Sequence, residues 1–197
     1  MKNKACRPSA TKRRARPSNP ALPSHNLRCV YSDKQIQKRV RELARQIDRD
    51  YKGKTLHVVG ILEDCFMFMA DLVRSLTIPV VCHFMKAAMH DTLAGKIAVR
   101  EIMYTPKVEA AGRDVLLVSG ILQSGVTLDH LYSYILGKSP SSVRTLSLVE
   151  KSGARKVDVS TDYVGFKSKE KFLVGYGLGY QENYRNLPFL ARLVKAV

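Results

Sequence analysis

The sequence predicts an α/β fold in which a mostly parallel sheet is covered by helices on both faces. Short apolar runs of strand length, such as residues 56–62 and 115–118, alternate along the chain with helix-sized segments. These runs are apolar throughout, which is typical of strands buried on both sides. A length of 197 residues allows one such domain with an additional segment.

The first helix is predicted by a capping box, because Ser32 precedes Gln35 by three residues. An apolar stripe with helical spacing follows, and it consists of Ile36, Val40, Leu43 and Ile47. Basic residues cover the other faces of this helix, and we interpret them first as a solvated surface. Gly53 is expected to end the segment.

The remaining elements are predicted in chain order from their apolar runs and turn residues. Strands are expected at residues 56–62, 79–84, 97–103, 114–118, 143–149, 162–166 and 172–174, and helices at 66–76 and 125–136. Residues 86–96 have no clear period and predict a mobile loop, and 105–112 predict a connection. Parallel sheets bind ligands beyond the carboxyl ends of their strands, so the site is expected after Leu62, Val118 and Val149.

The charge is unusual, since 33 Lys and Arg against 17 Asp and Glu give a formal net charge of +16. Residues 1–29 contain eight cations and no acid, are rich in Pro and Ser, and predict a flexible basic arm ahead of a domain at 30–197. The electrostatic field of so basic a segment attracts polyanions. A solvated tail and an RNA-binding arm are both consistent with it.

Cysteine and histidine patterns indicate neither a disulfide framework nor a metal site. The four cysteines form no CxxC pair, and the five histidines are dispersed. No apolar run is long enough to span a bilayer, and no apolar stretch follows the first basic residues as it would in a secretory signal. We therefore expect a cytoplasmic protein.

A strand, a small-residue loop and a helix start occur together at residues 115–127. Backbone N–H groups of the loop segment Gln123-Ser124-Gly125-Val126-Thr127 would form a phosphate cradle at the helix N-terminus. Many strand–loop–helix units share this pattern, so alone it is a weak signal.

Four further blocks are more specific: Lys156-Val157-Asp158, Asp162-Tyr163-Val164-Gly165-Phe166, Lys171-Phe172-Leu173-Val174-Gly175-Tyr176-Gly177-Leu178 and Tyr184-Arg185-Asn186-Leu187-Pro188. Through these blocks, the chain from Tyr31 onward resembles bacterial hypoxanthine-guanine phosphoribosyltransferases. The resemblance implies a type I phosphoribosyltransferase fold, with a parallel core sheet and a small hood. It also implies transfer of ribose 5-phosphate from phosphoribosyl pyrophosphate to a purine with magnesium, in a dimer or tetramer.

The chain departs from the family pattern where that chemistry needs carboxylates. The family's Glu-Asp pair after the strand is Ser119-Gly120 here, and the carboxylate tied to proton transfer is Gln123. A hood aspartate that coordinates magnesium is Gly179. An amide takes up no proton at neutral pH, so we expect no catalytic residues, a lost magnesium site and no cofactor.

The family's pyrophosphate loop reads Leu-Lys-Gly, whereas this chain has Leu62-Glu63-Asp64. Two carboxylates thus stand where a multiply charged anion should bind, and like charges repel. A Ser-Tyr pair of the flexible loop is also replaced, by Met89-His90.

Other family positions are kept. The resemblance assigns Lys151, Phe172 and Leu173 to purine binding, residues 123–127 to the 5′-phosphate, and Arg185 to the neighbourhood of pyrophosphate. Each also has a structural explanation, since Phe172 can pack in the hood, Lys151 can be a solvated loop charge and Arg185 can cap a helix end.

These observations favour an inactive phosphoribosyltransferase-like protein that binds a purine nucleoside 5′-monophosphate in a regulatory role. It would act as a homo-oligomer or with a paralogous enzyme. One alternative is a structural RNA-binding protein that uses the arm at residues 1–29. The other is an active purine-salvage hypoxanthine phosphoribosyltransferase.

Overall fold

The computed structural model describes residues 26–86, 108–153, 155–157 and 159–194. The predicted strand at 97–103, the Met89-His90 pair, Asp158 and most of the predicted arm and mobile loop lie outside the described residues. Within the described ranges, no helix is both long and apolar enough to cross a membrane.

A five-stranded parallel sheet forms the centre of the fold, which confirms the predicted α/β class. Its strands lie in the order β3-β2-β4-β5-β6. They are β2 (Leu56–Leu62), β3 (Val80–Lys86), β4 (Asp114–Leu122), β5 (Ser142–Lys151) and β6 (Tyr163–Ser168). The side chains of β4 alternate between two apolar cores: Leu116 and Val118 lie in one, Val115 and Leu117 in the other.

Helices cover both faces of this sheet. The predicted capping box is present at the start of α1 (Asp33–Asp50). Ser32 Oγ accepts a hydrogen bond from the backbone N–H of Gln35, and Gln35 Oε1 accepts one from the backbone N–H of Ser32. The apolar stripe of α1 is fully buried and shares a core with α2 (Phe66–Ser75). The opposite face is covered by α3 (Val126–Leu136).

A second, antiparallel sheet of three strands has the order β1-β8-β7 and forms the small hood. It consists of β1 (Asn26–Tyr31), β7 (Leu173–Val174) and β8 (Leu190–Val194). Residues 26–29 were assigned to the basic arm, and this boundary is corrected because β1 pairs with β8, with Leu27 opposite Leu193. The sequence analysis predicted neither β1 nor β8.

The core strands β3, β4, β5 and β6 all extend further than predicted, and the extensions of β4 and β5 bear on the site. β4 continues beyond Val118 to Leu122, and β5 continues beyond Val149 to Lys151. The two are paired in register up to Leu122 and Glu150. The backbones of Ser119, Gly120 and Lys151 are therefore fixed by the sheet, rather than lying in loops as the sequence indicated.

Candidate functional site

A cavity of about 510 Å³ opens at the carboxyl edge of β2 and β4, where the sequence predicted the site. This volume lies in the range of ordinary small-molecule pockets. Predicted site residues in its wall are Leu62, Asp64, Ser119, Gly120, Gln123, Ser124, Gly125 and Thr127. Lys156 also lines the cavity, and the sequence analysis had not assigned it to the site.

The predicted phosphate cradle lies at the N-terminus of α3, in the wall of this cavity. Gly125 is the N-cap residue with a φ of 81°, a conformation that favours glycine, and an added Cβ would lie 3.1 Å from Val157 Cγ2. The Lys156 amide donates to the Ser124 carbonyl at 2.9 Å, which ties the loop after β5 to the cradle. The first amides of a helix and its dipole together favour an anion at this position.

Two of the three predicted purine-binding residues, Lys151 and Phe172, line a second cavity of about 350 Å³, whereas Leu173 is not part of its wall. The Lys151 side chain is only 7% exposed, and its Nζ donates to the Lys171 carbonyl and, at 3.4 Å, to Gln123 Oε1. Burial lowers the pKa of Lys151. Phe172 is 61% exposed, and its ring centroid lies 5.8 Å from Lys151 Nζ.

Gln123 lines both cavities, so the two are adjacent. Leu173 differs from its neighbour Phe172, because it is buried and its backbone belongs to β7. The arrangement provides an exposed aromatic face and an ammonium donor on one side of Gln123, and a helix N-terminus on the other.

The altered loop holds the cations near it in ion pairs. A cis peptide bond joins Leu62 to Glu63. Glu63 Oε1 lies 3.1 Å from Lys86 Nζ, and Glu63 Oε2 lies 3.2 Å from Arg185 Nη2. Lys86 and Arg185 lower the pKa of Glu63, so its carboxylate is charged at neutral pH. Arg185 also pairs with Glu182 at 2.9 Å.

The backbone of the same loop packs against two glycines. A Cβ at Gly120 would lie 2.4 Å from the Asp64 carbonyl oxygen, and one at Gly177 would lie 2.7 Å from it. Gly177 also has a φ of 95°. The Asp64 carboxyl lines the cavity, and burial raises its pKa although Arg185 opposes the shift.

None of the four family carboxylate positions has a carboxylate side chain. Ser119 Oγ is 2.6 Å from Ser147 Oγ in a buried hydrogen bond, Gly120 has no side chain, and Gln123 has an amide. At Gly179, a Cβ would lie 2.6 Å from the Arg185 guanidinium. Magnesium prefers carboxylate oxygens, so these residues do not fit that ion.

Among the residues that the structure describes, no group of three or more His, Cys, Asp or Glu side chains is placed to hold a metal ion.

Comparison with known proteins agrees with this geometry. A model of the phosphoribosyl transferase domain matches residues 30–181. A hypoxanthine-guanine phosphoribosyltransferase from Dictyostelium discoideum is 40% identical over 168 residues, which cover 83% of this chain and 93% of that protein.

Two solved structures are also similar. A hypoxanthine-guanine phosphoribosyltransferase from Bacillus anthracis has a TM-score of 0.78 at 35% identity and covers 86% of this chain and 99% of its own. A Trypanosoma cruzi hypoxanthine phosphoribosyl transferase has a TM-score of 0.80 at 29% identity. The match covers 89% of this chain and 95% of that chain. The chain therefore belongs to the phosphoribosyltransferase family, among relatives of the hypoxanthine-guanine type.

Proposed function

We propose that the protein binds a purine nucleoside 5′-monophosphate and does not transfer a phosphoribosyl group. The observation that carries this proposal is the pair of adjacent cavities that share Gln123. One has the groups for a purine, and the other has a helix N-terminus for a phosphate. A nucleoside monophosphate has these two parts at its two ends.

In the purine cavity, Phe172 offers an exposed ring for stacking and Lys151 offers an ammonium group to a 6-oxo oxygen. Stacking of a base on an aromatic ring tolerates different bases, so the Lys151 donor would select a 6-oxopurine. In the other cavity, the backbone around Gly125 and the Thr127 hydroxyl would hold the phosphate, with Lys156 adding a positive charge.

Several groups of the family's transfer reaction are replaced at positions that the structure describes, which supports the proposal that the nucleotide is bound without turnover. Pyrophosphate departure needs cations or amides free to receive negative charge. Here the Glu63 carboxylate already pairs with Lys86 and Arg185, and it would repel the leaving group. The positions 119, 120, 123 and 179 supply no carboxylate for magnesium. We therefore propose a pocket that uses no metal.

A protein that binds a nucleotide without consuming it can report the nucleotide's concentration to a partner. We infer a cytoplasmic regulatory role, carried out as a homo-oligomer or with a paralogous active enzyme. The Trypanosoma cruzi relative is described as having an oligomeric state that depends on its C-terminal region. RNA binding through the arm stays a separate prediction, because residues 1–25 lie outside the described residues.

Calorimetric titration of the purified protein with GMP and IMP, without magnesium, tests the proposal. We expect saturable binding with one nucleotide per chain. The same protein is then mixed with phosphoribosyl pyrophosphate, magnesium and either hypoxanthine or guanine, and the products are separated. We expect no IMP or GMP.

Formation of either product would overturn the proposal and identify an active salvage enzyme, as the names of the relatives suggest for those proteins. Asp64→Asn would then be the next variant, because Asp64 contributes a carboxylate to the cavity wall. The proposal would also be overturned if neither GMP nor IMP gave a binding signal.

A further inference from the structure

One face of α1 carries a continuous row of cations that the nucleotide site does not use. Its members are all exposed and are Lys34, Lys38, Arg41, Arg45 and Arg49, which we call the α1 cation row. At about 100° per residue, they project within an arc of about 80°. With a rise of about 1.5 Å per residue, the row is about 22 Å long.

No acidic side chain neutralises this row within the described part of the chain. The acids of α1 beyond its first residue are engaged elsewhere: Glu42 pairs with Arg39, Asp48 accepts hydrogen bonds from Thr77, and Asp50 pairs with Arg144. None of the five row cations forms an ion pair there. Surface helices commonly intersperse charges of both signs, so an unpaired row of one sign is a binding surface for an anion.

The position of the row restricts the kind of partner. The opposite stripe of α1 is completely buried in the core, so only the cationic face of the helix is available to a partner. The row itself contains no apolar or aromatic side chain, and interfacial membrane helices need one to insert. A linear polyanion lying across the surface satisfies both conditions.

We propose that the α1 cation row binds the phosphodiester backbone of a nucleic acid, independently of base sequence. A single strand has one phosphate per about 3.4 Å of axis, so several phosphates lie within reach of the row. The row contains no aromatic side chain on which bases could stack, so we assign its cations to the phosphates, whose contacts carry no sequence information.

The test compares two triple variants of the full-length chain that lose the same charge. One is K38Q/R41Q/R45Q, in the middle of the row. The control is R113Q/K138Q/K167Q. It removes three cations that lie outside the row and do not line either proposed cavity. Gln has nearly the helix propensity of Lys and Arg, so the row variant should fold. The control positions lie outside the helices, in a loop, a turn and β6, and surface substitutions of this kind usually change stability little. The arm is identical in both.

Binding of a fluorescent 20-nucleotide oligouridine is measured by anisotropy at several salt concentrations. The logarithm of the affinity should fall linearly with the logarithm of the salt concentration. The row variant should reduce this slope by about 2, from three lost contacts at about 0.7 each, and its affinity should fall at least about tenfold. The control should change the slope by less than half as much. GMP binding should be unchanged in both, which separates this proposal from the proposed function.

An equal loss in both variants would overturn the proposal, because it would mean that only the net charge of +16 matters. Unchanged binding of the row variant would also overturn it. So would row-dependent binding to phosphatidylserine vesicles without binding to oligouridine. If circular dichroism finds the triple variant unfolded, the single variants Arg41→Gln and Arg45→Gln replace it, each with an expected slope change of about 0.7.

Discussion

Glu63 Oε2 lies 3.2 Å from Arg185 Nη2, while the other oxygen of the same carboxylate lies 3.1 Å from Lys86 Nζ. The carboxylate thus bridges the last residue of β3 and the segment that precedes β8. It pairs with these two cations in the way that a bound anion would. We therefore expect Glu63 to compete with external anions such as pyrophosphate.

Removing the charge of Glu63 should allow inorganic pyrophosphate to bind. In Glu63→Gln, Lys86 and Arg185 lose an anionic partner and the incoming ligand loses a repulsive neighbour. We expect the affinity for pyrophosphate to rise about tenfold at low salt, and less at high salt, because exposed charges are screened. Isothermal titration with pyrophosphate at two salt concentrations measures this.

Glu182→Gln is the matched control for that variant. Glu182 also pairs with Arg185, but its side chain is 84% exposed. Removing it changes the net charge equally and should raise the affinity by less than about threefold. If the two variants gain equally, or neither gains, Glu63 does not act as the internal anion.

Restoring the family's carboxylate at position 120 should destabilise the protein. An added Cβ there would lie 2.4 Å from the Asp64 carbonyl oxygen, and this backbone atom cannot turn away as a flexible side chain can. We expect Gly120→Asp to lower the free energy of unfolding by about 1–3 kcal/mol, as overpacking usually does. Urea denaturation measures the loss.

Gly137→Asp provides the comparison, because its nearest neighbours would be 3.5 Å or more from the Cβ and its φ is −61°. That variant should be close to the wild type. Full stability of Gly120→Asp, or the appearance of transferase activity in it, would mean that the Asp64 loop adapts easily.

The helical part of the fold could be predicted because its signals are local. The capping box of Ser32 and Gln35 and the stripe beginning at Ile36 occur within one short segment, and the structure has both. The strand β1 was missed because its pairing partner, β8, lies near the other end of the chain. No local pattern marks such a long-range pair.

The site could be predicted in location but not in its contacts. The loop at Gly125 has a sequence signature. Lys156 lies in the cavity wall because its backbone amide donates to the Ser124 carbonyl, and no sequence pattern predicts this long-range hydrogen bond. The sequence showed that Glu63 has the wrong charge for pyrophosphate. It did not show that Lys86 and Arg185 are its partners, since tertiary packing brings these residues together.

Removing the aromatic face of the purine cavity should weaken nucleotide binding. Base stacking on an aromatic side chain contributes about 1–3 kcal/mol, so Phe172→Ala should reduce the affinity for GMP by roughly 5- to 150-fold. Competition with a fluorescent guanine nucleotide measures it. Phe84→Ala is the control, because Phe84 is also exposed but lies on the edge strand β3. Equal affinities of the two variants would remove Phe172 from the site.

The half-buried carboxyl of Asp64 should make stability depend on pH. Burial raises its pKa above the usual 3.8, so the folded state holds the proton more tightly than the unfolded state. The stability that Asp64 contributes is complete below 3.8 and is lost as pH rises through the higher folded pKa. Asp64→Asn stays neutral throughout, so it should have a higher Tm than the wild type at pH 7, and the difference should shrink toward pH 3.

Asp71→Asn should behave in the opposite way, which makes the pair of variants a sign test. Burial alone would raise the pKa of Asp71, but hydrogen bonds from Tyr176, Gln37 and Arg74 lower it overall. Its contribution is present at neutral pH and is lost as pH falls through the lowered pKa. Asp71→Asn should therefore have a lower Tm than the wild type at pH 7, and the gap should narrow in acid. If the Tm difference from the wild type had the same sign and the same pH dependence in both variants, the opposite pKa shifts of Asp64 and Asp71 would be contradicted.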